Sequence, residues 1–206
     1  LDDISKFNPK VKIIENNLEK NKLINLIASE FVNEISGDSM APGGGSVSAL
    51  VASLGSALTS MVSNLTIENK NYYSSKDIHL NSSKKTQNYK DLLMILIDKD
   101  TESFNQIISS RRMPKKTPQE ILIRNKAIYS ATLNATNIPL EILKICSKVI
   151  EETYIVAKHG NVNSISDIGV ASQIINAGAI GAYYNILINI SELKKTKQEF
   201  YIETSD

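Results

Sequence analysis

The sequence predicts an all-α protein, an up-and-down bundle of about five or more long helices, on three observations. Apolar residues recur at three- and four-residue spacing almost throughout, no alternating strand pattern is visible, and the strongest breakers fall between the periodic runs. At 206 residues with 42% hydrophobic content, the chain holds enough apolar material for one sizeable core, and its length gives no reason for two full domains.

Residues 1–22 are polar and charged and read as an N-terminal extension, with the helical domain over 23–206. Leu23, Ile24, Ile27, Phe31 and Ile35 form the first stripe, and Val47, Leu50, Leu54, Met61 and Leu65 the next. A helix over 91–110 carries Leu93, Leu96, Ile97, Phe104, Ile107 and Ile108 on one face. Further stripes cover 121–133 and 140–155, and Pro139 is expected to kink or interrupt the helix between them. Residues 111–118 read as a basic loop, and the lysine-rich tail over 192–206 as part of a terminal helix.

Two stretches, 46–67 and 168–190, are uncharged and long enough for a membrane span. Both are rich in Ser, Thr, Asn and Gly, so the expectation is buried helices and no membrane partner. Small residues at helical spacing, Ala49, Ser53 and Ala57 in one and Ala177 and Gly181 in the other, let backbones approach closely in a core or subunit interface.

A formal net charge of +1 argues against nucleic acid as a bulk electrostatic partner. The single cysteine, Cys146, excludes an intramolecular disulfide and a multi-cysteine metal site. His79 and His159 have no ligand spacing, so no metal is expected. The first twenty residues carry no signal-peptide pattern, and a reduced, cytoplasmic setting is the expectation.

Chemistry is concentrated in few places. Gly43, Gly44 and Gly45 lead into a helix whose free N–H groups and partial positive charge suit a carboxylate, a phosphate or an electron-rich ring edge. The plain reading is a turn with Ser46 as helix cap. The Lys-Ser/Thr pair of a nucleotide-binding P-loop is missing. Asp100 falls within the apolar face of the 91–110 helix and Asp98 nearly opposite. A carboxylate so placed is either satisfied structurally, capping a neighbouring helix or bonded to a nearby Ser or Asn, or held with a raised pKa for acid–base work. Ser164 and Asp167 have the form of a capping box. Asn64 and Lys70 lie in a polar stretch, and Arg111, Lys115 and Lys116 form either a solvated connection or a dock for an anionic ligand tail.

Four segments together resemble the cyclodeaminase/cyclohydrolase family of folate enzymes: Ala41-Pro-Gly-Gly-Gly-Ser-Val-Ser-Ala-Leu50 with Met61-Val-Ser-Asn-Leu-Thr66, Leu96-Ile-Asp-Lys-Asp-Thr-Glu-Ser-Phe104, residues 160–170 around Ser166-Asp167, and Gly181-Ala-Tyr-Tyr-Asn-Ile-Leu-Ile-Asn189. Residues 4–15 resemble the end of a formiminotransferase domain, a further expected partner. The resemblance implies a homodimer acting on tetrahydrofolate in one-carbon metabolism and histidine degradation, with no cofactor beyond the folate substrate, which can be polyglutamylated. It implies conversion of 5-formiminotetrahydrofolate to 5,10-methenyltetrahydrofolate and ammonia. Asp100, Asp98 and Asp167 would then be catalytic. Gly43, Gly44, Gly45, Ser46, Asn64, Lys70, Arg111, Lys115 and Lys116 would bind substrate. The alternatives are a methenyltetrahydrofolate cyclohydrolase and a non-catalytic helical dimerisation module.

Overall fold

The structure, a computed structural model, describes residues 22–203, so the formiminotransferase-like segment lies outside the described residues. Five α-helices carry the described chain, joined by short 3-10 turns and loops, with no strand among the described residues. The chain divides at Met40. Before it lie a 3-10 turn, Leu23–Asn25, and the short helix α1, Ala28–Ile35, whose start is closed by Glu30 accepting the Ile27 N–H.

After the division come the four long helices: α2 (Gly44–Glu68), α3 (Lys76–Arg111), α4 (Pro118–His159) and α5 (Ile165–Glu203). Each packs on its sequence neighbours, α5 closes the ring against α2, and α2 makes a smaller contact across to α4. The links are short, which forces antiparallel neighbours. The hydrogen bonds agree: on α2 and α3, Ser46 meets Ile97 while Ser60 meets Ser83.

The expected break at Pro139 does not occur, because α4 runs unbroken through it. A proline there leaves the carbonyl of Ala135, four residues back, without its helical donor. Asn189 of α5 fills the gap, its Nδ2 donating to Ala135 O at 2.7 Å. The helix thus survives its proline because a neighbour supplies the missing bond. Pro118 stands in the first turn of α4, where its lack of an N–H costs nothing.

α2 reverses the expected sidedness. Leu54, Met61 and Leu65 of the apolar stripe are 53%, 39% and 48% exposed, while Ser46, Ser56, Thr59, Ser60 and Ser63 are buried. The hydroxyls can go inside because many are satisfied by their own helix: Ser48 donates to Gly44 O, Thr59 to Gly55 O and Thr66 to Val62 O. Their small size brings α5 close. A Cβ on Gly178 would press into Ala52 and the Ser48 carbonyl, and one on Gly55 would meet Ile175. Gly178, rather than Ala177, is therefore the contact residue, and Ala177 faces outward. α2 is long and apolar enough to cross a membrane by length and composition, but most of it is buried inside the fold.

Candidate active site

Gly43 is the N-cap of α2 and has no side chain with which to satisfy the first N–H groups. Ser46 is therefore not the cap. It lies inside the first turn, fully buried, and points across to α3. Its Oγ is 2.9 Å from Ile97 O, 3.1 Å from Asp100 Oδ2 and 3.1 Å from Thr101 Oγ1. Asp100 also accepts the Ser46 backbone N–H and so does from α3 what a capping side chain would do from within α2. Burial pushes the Asp100 carboxyl above the usual aspartate range, and the Ser46 side-chain and backbone donors offset only part of that rise. Asp100 therefore combines two roles: it caps a neighbouring helix, and it holds its proton more tightly than a solvated acid.

The glycines serve space rather than backbone angle, since no described glycine has a positive φ. A Cβ on Gly45 would overlap the Asp100 carboxyl group, and one on Gly44 would come within 3.2 Å of Asn185 Nδ2. Asn185 is held over Gly44 by its own bond to Gly181 O at 2.9 Å. Sequence reasoning missed Asn185 and Thr101 as neighbours of the site. Asn185 could have been found from its place one turn after Gly181 on the α5 face that meets α2.

The remaining candidates divide between the two ends of the bundle. α3 continues past Asp100 for eleven residues, about 16 Å of helix, to Arg111. There Arg111 pairs with Glu192 of α5, bridging the two helices beyond the start of α2. Phe104 and Ile108 continue the Asp100 face between these points by helical period. Lys115 and Lys116 are exposed in the following loop, at this same end. Asp98 is half-buried, and two residues of helix turn it about 200° from Asp100, away from Ser46.

Asn64, Lys70 and Asp167 lie at the other end. Asp167 is in the first turn of α5 beside Ile168, which clusters with Val62. Ser46 to Val62 is sixteen residues of α2, about 24 Å, so within one chain Asp167 does not share a site with Asp100. Asn64 accepts from Ser83, and Lys70 is exposed in the 3-10 turn after α2. At the α5 junction, Asn161 takes the turn-capping role by accepting the Asn163 N–H, and Ser164 ends the 3-10 turn.

A broad groove of about 670 Å³ lies between α3 and α4, lined by Glu102, Asn105, Gln106, Ser130 and Asn134 among others. It is amide- and hydroxyl-rich and offers no carboxyl in an apolar setting, so it does not compete with Asp100 as a chemical centre. No three His, Cys, Asp or Glu side chains converge as a metal site among the described residues.

A ring of four antiparallel helices, with a half-buried acid set against the glycine-rich start of a helix, defines the class. Residues 27–204 match the profile of the Formiminotransferase-cyclodeaminase family, and the chain belongs to that family. Among its relatives, the Formimidoyltransferase-cyclodeaminase of Gallus gallus is 31% identical over 209 residues, covering 100% of this chain and 38% of that protein. The chain thus spans well under half the length of that relative. The Methenyltetrahydrofolate cyclohydrolase of Methylorubrum extorquens is 34% identical over 163 residues, covering 79% of this chain and 78% of that one. The crystal structure of formiminotetrahydrofolate cyclodeaminase from Thermotoga maritima shares the fold, with a TM-score of 0.75 at 22% identity over 89% of this chain and 91% of that one.

Proposed function

We propose that this chain is a formimidoyltetrahydrofolate cyclodeaminase, an ammonia-lyase that converts 5-formiminotetrahydrofolate to 5,10-methenyltetrahydrofolate and ammonia. The observation that carries this reading is Asp100: a carboxyl group held partly out of water, with its proton affinity raised, at the first turn of α2. In this reaction the N10 amine attacks the carbon of the formimino group in its protonated, amidinium form, and the N10 proton must then pass to the departing –NH2, so that it leaves as ammonia while the amidinium's charge stays on the methenyl product. Asp100 takes the proton from N10 as the new C–N bond forms and gives it to the nitrogen that leaves as ammonia. Its negative charge, restored at the end, stabilises the cationic product.

Gly43, Gly44 and Gly45 hold the pterin near this acid, with Asn185 beside them, while Ser46, fully buried against α3, reaches the site only through Asp100. Lys115 and Lys116 meet a glutamate tail, and Arg111 joins them by exchanging Glu192 for a substrate carboxylate. Asp98, Asn64, Lys70 and Asp167 have no step in this single-chain scheme. The chain works as a homodimer through the exposed apolar face of α2, since Leu54, Met61 and Leu65 form a stripe that a second copy would remove from water. A preceding formiminotransferase domain would supply the formimino substrate. This reading draws support from the relatives named formimidoyltransferase-cyclodeaminase, one of which aligns over the whole chain.

The second reading is a methenyltetrahydrofolate cyclohydrolase, favoured by one observation: the bacterial cyclohydrolase is 34% identical over 79% of this chain and 78% of its own length. An absorbance assay on the purified chain separates them. Growth of the methenyl chromophore with ammonia release from 5-formiminotetrahydrofolate is the expected result. Enzyme-dependent decay of 5,10-methenyltetrahydrofolate alone would establish the cyclohydrolase. Silence in both, with no folate binding, would leave a dimerisation module.

A further inference from the structure

The Ser46 hydroxyl has more neighbours than protons. It lies 2.9 Å from Ile97 O, which can only accept, and 3.1 Å from both Asp100 Oδ2 and Thr101 Oγ1. A serine hydroxyl donates once and accepts twice. If it donates to Ile97 O, its lone pairs face Asp100 Oδ2, an arrangement that holds only when Asp100 carries a proton and donates it. If Asp100 is ionised, the hydroxyl must turn and donate to the carboxylate. Ile97 O can release it, because the helical N–H of Thr101 still serves that carbonyl. In both states Thr101 donates to Ser46, so no group at the junction is left without a bond.

We propose that Ser46 is a positioning residue that acts through Asp100: a two-position hydroxyl that donates to Ile97 O while Asp100 is neutral and swings to the carboxylate when Asp100 is charged. The catalytic consequence rests on the proton-shuttle reading above, but the switch is a property of the free chain. Passing a proton through Asp100 changes its charge twice. Ser46 supplies a donor to the half-buried carboxylate only during the interval in which it is charged.

The test is a titration of the Asp100 side-chain carbon by NMR in the ligand-free full chain, with Asp100→Asn to assign the signal. Charged hydrogen bonds are roughly twice as strong as neutral ones, so Ser46→Ala weakens the ionised state more than the neutral one and should raise the midpoint by roughly one pH unit, a tenfold gain in proton affinity. An unchanged or lowered midpoint would overturn the switch. Ser46→Cys, a weaker donor, should raise it by less and keeps the test available should Ser46→Ala fold poorly; no rise there would equally overturn it. The kcat/KM pH profile then separates the two claims. A limb that moves with the NMR midpoint supports both, whereas a fixed limb beside a moving midpoint keeps the switch and removes Asp100 from the chemistry.

Discussion

Gly45→Ala is the sharpest perturbation of the candidate site, because it adds one methyl group where the structure leaves room for none. The added Cβ would overlap the carboxyl group of Asp100, which cannot swing aside without giving up its bonds to Ser46. The clash is therefore met by separating α2 from α3. Such overpacking costs about 1–3 kcal/mol, and the helix-forming advantage of Ala over Gly returns about 1 kcal/mol. The expected net loss is about 0–2 kcal/mol by urea unfolding. Activity should suffer far more, since a displacement near 1 Å at a reacting group costs on the order of 100-fold in rate. A double-mutant cycle isolates the cause. In an Asp100→Ala background the overlap is gone, and Gly45→Ala should become neutral or stabilising by up to about 1 kcal/mol. Equal effects of Gly45→Ala in the two backgrounds would refute the close approach of glycine and carboxyl.

Three further outcomes are expected. Asp100→Asn should abolish turnover while the chain stays folded. It should also flatten the fall in stability with rising pH: a carboxyl whose folded pKa is raised contributes stability that is fully present below its unfolded pKa and is lost as pH rises through the folded one, so the variant gains on wild type in alkali rather than acid, as read by unfolding at pH 4 and pH 8. Asn189→Ala should cost about 1–2 kcal/mol by leaving Ala135 O unsatisfied, and Pro139→Ala, which restores a helical N–H, should recover much of that loss; the same cost in both backgrounds would disprove the substitution of one donor for the other. Leu54→Glu together with Leu65→Glu should leave the helical circular dichroism intact and shift the chain to monomer in sedimentation, while an unaltered oligomer would place the subunit interface elsewhere.

Helix type was legible in the sequence because three- and four-residue spacing marks long helices strongly. Sidedness was not legible in α2, where serines and threonines bond back to their own carbonyls and so become admissible core residues, leaving Leu54 and Leu65 outside. The continuity of α4 was hidden for a related reason: the donor that rescues Pro139 comes from Asn189, fifty residues further on. Asp100 stood out as a charge within an apolar stripe, but its partner on α2 and its tight fit to Gly45 are long-range facts. Local pattern also cannot say which end of a bundle a residue occupies, so the roughly 24 Å of α2 that separates the end holding Asn64, Lys70 and Asp167 from Asp100 was not legible either.

Asn185 and Asn189 stand one helical turn apart on α5, the first over Gly44 of α2 and the second on Ala135 of α4. Together they index α5 against two neighbours at once, like a key cut for two wards. A single-residue insertion between them would rotate one contact by about 100° relative to the other, so both cannot be kept. The spacing of these asparagines is therefore a gauge of bundle alignment, and the length of this one turn should tolerate change far less than the length of any surface loop.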